Sequence, residues 1–292
     1  MLGPTAAGKS EVALALAATI RAPIISVDSM QVYQGMDIGT AKPSVSDRAR
    51  VIHYMVDLVS PDREYSAAEF QQEARGIIDS GRYDIVIIAG GSGLHFRAIV
   101  DPHNFPPHDP RVRVEVEGLS DPVAELVAVD PGAGGVVDLA NRRRVVRALE
   151  VHRLTGLTPT LRAGSVEAGA LRRYQSHYQF QAVGLDPGDE LVSRIASRTE
   201  TMREAGLLDE VAGLAPNLGR TSRNAVGYRQ LLDHLSGHLD LEAAWAGMHR
   251  ATMGLARRQR TFFRRDPRIR WVEWADSVEA RIKAVGREWG LN

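Results

Sequence analysis

Residues Gly3-Pro4-Thr5-Ala6-Ala7-Gly8-Lys9-Ser10 follow the spacing G-x-x-x-x-G-K-[ST]. Glycines at those positions let the backbone wrap so that its N–H groups point inward, and the helix that follows adds the positive end of its dipole. Lys9 then reaches the terminal phosphate oxygens, and the Ser10 hydroxyl suits a magnesium ion. The segment therefore predicts a diphosphate- or triphosphate-bearing ligand, ATP among them, held by Gly3, Pro4, Thr5, Ala6, Ala7, Gly8, Lys9 and Ser10. Two further polar residues end apolar runs: Asp28 follows Ile24-Ile25-Ser26-Val27, and Ser92 lies in the turn Gly90-Gly91-Ser92-Gly93.

These residues need elements to position them. A helix from Glu11 to about Ile20 follows the loop, and short strands are expected at Ile24–Val27, His53–Asp57 and Ile85–Ala89. Ser66-Ala67-Ala68-Glu69 is a capping box that starts a helix running from about Ala67 to Ser80. Strand–helix alternation around a phosphate loop implies an α/β fold, a parallel sheet core flanked by helices. Ligands of such sheets lie at the carboxyl ends of the strands, where Thr5, Asp28 and Ser92 all fall. Only Met1 and Leu2 precede the loop, so the strand that ordinarily delivers it is expected to be missing or cut short, at a cost in stability.

From Pro102 the texture changes to proline-rich and then helical. The expected division is a core from 1 to 105, an all-helical insertion domain from 106 to 176, and a second core part from 177 to 292. The second part opens with a return strand from Tyr178 to Leu185 and is otherwise helical. On the helix starting at Leu191, an advance of about 100° per residue groups Leu191, Ile195, Met202 and Ala205 into an apolar stripe, with Arg198 inside it and Arg194 on its edge. An inward-facing arginine needs either a carboxylate or a ligand phosphate, and the neighbouring phosphate loop favours the phosphate.

The 292 residues carry 36 basic and 36 acidic side chains, so the net charge is zero. The distribution is uneven. Between Arg142 and Arg173, eight arginines face Glu150 and Glu167, a surplus of 8 − 2 = 6; between Arg250 and Arg270, eight face Asp266 alone, a surplus of 8 − 1 = 7. Helical spacing gathers Arg143, Arg144 and Arg147 on one face, and Arg250, Arg257, Arg260 and Arg264 on another. Basic faces of that length match a nucleic-acid backbone. The chain has no cysteine, which excludes disulfides and thiolate-bound zinc or iron–sulfur centres. With no apolar run approaching the ~18 residues of a membrane span and no secretory pattern at the start, a cytoplasmic monomer is expected. His53, His95, Trp271, Trp274 and Trp289 read as structural.

The chain resembles the bacterial tRNA dimethylallyltransferases, also called tRNA isopentenyltransferases. The resemblance rests on the phosphate loop, on Ile25-Ser26-Val27-Asp28-Ser29-Met30-Gln31-Val32-Tyr33, and above all on Gly35-Met36-Asp37-Ile38-Gly39-Thr40-Ala41-Lys42-Pro43. It continues through Gly90–Leu94, Arg147–Val151, Gly227-Tyr228-Arg229-Gln230 and Arg257–Arg264. It implies transfer of a dimethylallyl group from its diphosphate to N6 of an adenine beside the anticodon, at tRNA position thirty-seven, with Mg²⁺ as cofactor and Ser10 as its ligand. Thr5, Lys9, Ser10 and Arg198 would hold the diphosphate. Asp28 would take the adenine proton and, with Ser29, Met30 and Gln31, touch the flipped base. Ser92, Arg113, Arg143, Arg144, Arg147, Gly227, Tyr228 and Arg229 would lie near the tRNA. Ser92 keeps the hydroxyl of the usual threonine, and Met253-Gly254 replaces the usual arginine–glutamine pair, removing one charge.

Three other readings stay open. A small-molecule kinase would use the phosphate loop but leave Gly35–Pro43 and the basic insertion without purpose. An isopentenyltransferase acting on free adenine nucleotides would not need the arginine face of 243–264. An RNA-binding protein merely regulated through its phosphate loop would not need Asp28 at a strand end.

Overall fold

The computed structural model describes residues 1–291. Strand β1 (Ile24–Val27) is buried along its whole length, as a strand must be when neither face is consistently polar. It pairs in parallel with β2 (His53–Tyr54) and β3 (Ile87–Gly90), in the order β2-β1-β3. A second parallel pair joins β4 (Ala182–Gly184) to β5 (Ile269–Trp271). Leu2 links the two. It forms parallel bridges to Gly90 and to Gly184; its N–H donates to the Val183 carbonyl, its own carbonyl accepts from Leu185, and the Met1 carbonyl accepts from Gly90. Met1 and Leu2 thus occupy the central position between β3 and β4, a two-residue remnant of the strand that the sequence implied was cut short.

Four strand expectations need correction. β2 stops at Tyr54, the return strand covers only Ala182–Gly184, and Ile269–Trp271 is a strand where only helix was expected. β3 starts at Ile87, two places inside the apolar run, because Ile85 is 55% exposed. Pairing decides these limits, since a run extends as a strand only where a neighbour supplies hydrogen-bond partners.

Helices flank the sheet. The first part of the core carries α1 (Lys9–Ile20), α2 (Val45–Arg50), α3 (Ala67–Asp79) and α4 (Gly93–Val100). The capping box at Ser66 and Glu69 is formed as expected. Val12, Ala13, Leu16 and Ala17 of α1 pack into one buried cluster with Ile24, Ile87 and Val183. Each such fully buried Leu, Ile or Val contributes roughly 1.5–3 kcal/mol, so the helix leaving the phosphate loop is firmly seated.

The chain forms two compact units: Met1–Ile99 together with the chain from Gln179 onward, and Val100–Tyr178. The inserted unit, a few residues longer at both ends than expected, is all helical: α5 (Pro110–Glu117), α6 (Pro122–Val129), α7 (Arg142–Thr155), α8 (Pro159–Ala163) and α9 (Val166–Arg172). Asp109 and Asp121 cap helices whose first residue is proline, a combination suited to a helix start. Val145, Val146 and Leu149 of α7 form its core with Val116 and Leu126.

The returning core holds α10 (Leu191–Glu204), α11 (Leu207–Leu214), α12 (Tyr228–Leu235), α13 (Leu241–Arg264) and α14 (Val278–Glu288). Leu191 and Ile195 of α10 and Ala256 of α13 form a cluster against which Met253 and the phosphate-loop residue Ala6 pack. Met253 therefore serves packing in this chain. Among the described residues no helix is long and apolar enough to cross a membrane.

Candidate active site

Residues Gly3–Gly8 arch between the Leu2 stub and α1. Gly8 caps α1 at φ 70°, a left-handed conformation that suits glycine, and Ala6 is also left-handed at φ 62°. Lys9 opens the helix beneath the arch, buried, and its Nζ donates to the Pro4 carbonyl at 2.5 Å. Burial above all, then the Arg198 guanidinium, pull the Lys9 ammonium down to about 7, while Asp28 pushes it the other way. A cation held so close to neutrality lacks its counter-ion. An anionic group above the loop would supply it.

Arg198 occupies the inward face of α10, as its helical position requires. Among the described residues it makes no hydrogen bond or ion pair, and burial holds its guanidinium below the ordinary arginine value, with Asp28 acting in the opposite sense. Arg194 beside it donates from Nε to the Ala6 carbonyl at 2.8 Å and stacks over Trp274. The protein carboxylate that could have satisfied Arg198 is thus not an ion-pair partner, and a ligand phosphate is the remaining candidate.

Asp28 leaves the carboxyl end of β1 and accepts the Met30 N–H on Oδ1 at 2.9 Å, which orients the carboxylate and leaves Oδ2 without a partner among the described residues. Two adjoining cavities, of about 400 and about 780 Å³, share Thr5, Asp28, Thr40, Gly91, Arg198 and Gln259. The larger contains the whole anion side, with Lys9, Ser10 and Arg194. The smaller is walled by Met30, Val226, Met248, Leu255 and Phe262, with Ser92 at one side. Apolar walls next to an anion cradle suit a hydrocarbon tail attached to a diphosphate. Among the described residues the Ser10 hydroxyl, which lines the larger cavity, has no hydrogen bond, and no group of three or more His, Asp or Glu capable of holding a metal exists. Mg²⁺ keeps several waters and takes phosphate oxygens, so a single hydroxyl fits it.

Other expected contacts sit differently. Gln31 is buried, accepting the Ser26 hydroxyl and donating to the Thr40 and Ala41 carbonyls, so its amide is already committed. Tyr228 is fully buried and its hydroxyl donates to Glu210; a side chain with no exposed surface does not reach an RNA. Gly227 is buried beside it at the start of α12, while Arg229 is exposed. Ser92 shares a hydrogen bond with His95 Nδ1 at 2.7 Å, and burial pulls His95 down to about 4, so this pair stays neutral.

In the inserted unit, Glu150 is fully buried and gathers Arg147 at 3.0 Å, Arg113 at 3.5 Å and His108. Burial would raise its carboxyl, but Arg147, His108 and the Asp109 N–H outweigh that and hold it below the usual value. Arg147 also donates to the carbonyls of Pro106 and Pro107. Arg113 and Arg147 are therefore structural members, whereas Arg143 and Arg144 are exposed. The same sorting applies on α13. Arg260 and Arg264 pair with Asp186 at 2.6 and 2.9 Å, while Arg250, Arg257 and Arg258 have no such partner among the described residues.

Gln259, Thr40 and Glu210 had no assigned role in the sequence. Gln259 and Thr40 lie in the two segments that carry the resemblance, which was the one available signal. Glu210 had none.

Fold and site together define a phosphate-loop α/β protein with a helical insertion, holding an anion cradle next to a carboxylate. The family model described as IPP transferase matches residues 31–266, and the chain belongs to that family. A tRNA dimethylallyltransferase of Parafrankia sp. is 42% identical, covering 98% of this chain and 91% of the relative. One from Streptomyces avermitilis is also 42% identical, covering 94% and 89%. The crystal structure of a tRNA isopentenylpyrophosphate transferase from Bacillus halodurans superposes with a TM-score of 0.69 at 31% identity, over 99% of this chain and 95% of that one. A eukaryotic dimethylallyltransferase acting on tRNA shares the fold at 22% identity, with a TM-score of 0.77 over 99% of this chain and 78% of that one.

Proposed function

We propose that this chain is a tRNA dimethylallyltransferase that moves the dimethylallyl group from its diphosphate to N6 of the adenine beside the anticodon, at position thirty-seven, releasing diphosphate. The observation that carries the reading is the meeting of Lys9 and Arg198, two cations without a counter-ion, with the Asp28 carboxylate in one cleft that has an apolar side. The C–O bond to the diphosphate breaks as the C–N bond forms. The allylic carbon delocalises its positive charge, so the main barrier lies in the charge growing on the leaving group. Lys9, Arg198 and the N–H groups of the phosphate loop other than Thr5, which Gln259 engages, would face that charge.

N6 of adenine is a poor nucleophile until its proton leaves. Asp28 is the group placed to accept that proton as the new bond forms. The adenine must unstack to enter, at a cost of a few kcal/mol, and a single-stranded anticodon loop lowers that cost. Ser10 would hold Mg²⁺ together with donor phosphate oxygens; when bound, the ion offsets part of the leaving charge. Arg143, Arg229, Arg250, Arg257 and Arg258 are cations available for RNA phosphates, joined by Arg144, which keeps only a long, exposed pair with Asp138 at 3.8 Å.

The test is incubation with labelled dimethylallyl diphosphate and either unmodified tRNA or AMP. Label in tRNA is expected. Label in AMP alone would favour a free-nucleotide enzyme, and ATP turnover without transfer would favour a kinase.

A further inference from the structure

The segment 36–41 contributes to the walls of both cavities, and its backbone is held from two sides. The N–H groups of Asp37, Ile38 and Gly39 all donate to one carboxylate, Glu210 of α11, at 2.9, 2.7 and 3.1 Å. The Tyr228 hydroxyl donates to the same carboxylate. From the other side the Gln31 amide donates to the carbonyls of Thr40 and Ala41. The Tyr228 ring presses on the same segment: a Cβ on Gly39 would stand 2.4 Å from it. Lys42 closes the segment, its ammonium buried between Asp37, Asp57 and the Tyr33 carbonyl.

Successive backbone N–H groups that converge form a concavity for anions. Here the protein's own carboxylate fills it, and hydrogen bonds to an ionised group are shorter and stronger than neutral ones. Four donors on two oxygens leave the segment little freedom. Packing does not require this, because α11 is already anchored through the buried Leu207 and Val211. Glu210 lines neither cavity. Its effect passes through the backbone it holds.

We propose that Glu210 and Tyr228 are positioning residues for the transfer step. They fix the backbone of Asp37–Gly39, and with it Thr40, as the rigid wall that shares the cleft with Asp28, so that acceptor nitrogen, carboxylate and allylic carbon meet at bonding range. This rests on the transfer reaction proposed above. A misplacement of about 1 Å lowers such a rate about a hundredfold, whereas the diphosphate cradle, built on the phosphate loop and α10, stays in place.

The experiment compares Glu210→Gln and Tyr228→Phe with the wild-type chain, using dimethylallyl diphosphate and an unmodified anticodon stem-loop RNA. Donor affinity, RNA affinity, melting temperature and single-turnover transfer rate are measured for each. Glu210→Gln turns an amide toward the backbone donors, and its transfer rate is expected to fall about 10- to 100-fold with both affinities close to wild type. Tyr228→Phe keeps the carboxylate and is expected to show a smaller loss in the same quantity. A wild-type rate in Glu210→Gln overturns the proposal, as does a loss shared equally by rate, affinities and folded fraction. If Glu210→Gln does not fold, Tyr228→Phe decides, and an unchanged rate there overturns it. Absence of transfer by the wild-type chain would instead overturn the reaction assignment, and this proposal with it.

Discussion

The Gln259 carboxamide oxygen accepts the Thr5 N–H at 2.8 Å, tying the basic helix α13 to the arch of the phosphate loop. One loop amide is therefore already oriented before any ligand arrives. Replacing Gln259 by Leu leaves that N–H without a partner in a half-buried place, a loss of about 1–3 kcal/mol. The expected result is about a tenfold rise in the donor dissociation constant, measured by calorimetry. Gln259→Glu should weaken the donor further, since it brings negative charge to the cradle. Donor binding unchanged in both variants would show that the arch holds its own shape.

Asp28→Asn keeps an oxygen for the Met30 N–H and removes the base. Transfer is expected to fall about 10²–10⁴-fold while the donor still binds, as read by single-turnover assay beside equilibrium binding. Near-normal turnover would remove Asp28 from the proton path.

Arg198→Ala strips one cation from the leaving group. A fall of about 10²–10³-fold in kcat is expected, together with weaker donor binding. Intact donor affinity and turnover would mean that the guanidinium serves only the fold.

Lys9 predicts a pH dependence with a definite sign. In the free protein its ammonium lies at about 7, against 10.5 ordinarily, chiefly through burial. A diphosphate above the loop raises it again, so binding at pH 8 takes up a proton and donor affinity declines as pH climbs above about 7, by up to about tenfold per unit. Calorimetry in buffers of different ionisation enthalpy measures the uptake. The unliganded protein shows the complement. Between about 7 and 10.5 the unfolded chain binds more protons at this residue, so its contribution to stability is present at high pH and lost as pH falls through about 7.

The arginines of α13 separate into two kinds. Arg257→Ala and Arg258→Ala are expected to weaken RNA binding across sequences and to reduce the salt dependence by about 0.7–0.9 in logarithmic slope for each phosphate no longer neutralised. Arg260→Ala removes a partner of Asp186, whose side chain is only 6% exposed, and should lower the melting temperature with little change in that slope. A salt series of binding isotherms separates the two outcomes, and equal slopes for all three variants would refute the division.

Much of this site was legible in the chain itself. The phosphate loop is contiguous, Asp28 and Ser92 follow apolar runs whose carboxyl ends a parallel sheet brings together, and Arg198 falls in an apolar stripe that local helical geometry defines. What sequence reading did not foresee were hydrogen-bond and ion-pair partners that lie far along the chain or around a turn. Tyr228 belongs to one of the segments on which the resemblance was read, yet its hydroxyl is spent on Glu210. Gln31 follows Asp28 closely, yet its amide is spent on Thr40 and Ala41. Arg260 and Arg264 share a helical face with Arg257, but Asp186 claims the first two.

The order of residues alone determined the cradle, its acid, its inward arginine and the two helical patterns rich in basic residues, because each is set by spacings within one turn, one strand or one helix. Tertiary structure decided which cations remain free for phosphates, which polar groups are already satisfied, and that Leu2 bridges β3 to β4. Those outcomes depend on hydrogen-bond and ion-pair partners more than a hundred residues apart in several cases, such as Thr5 with Gln259 and Asp37 with Glu210, and no local pattern encodes which partner will arrive.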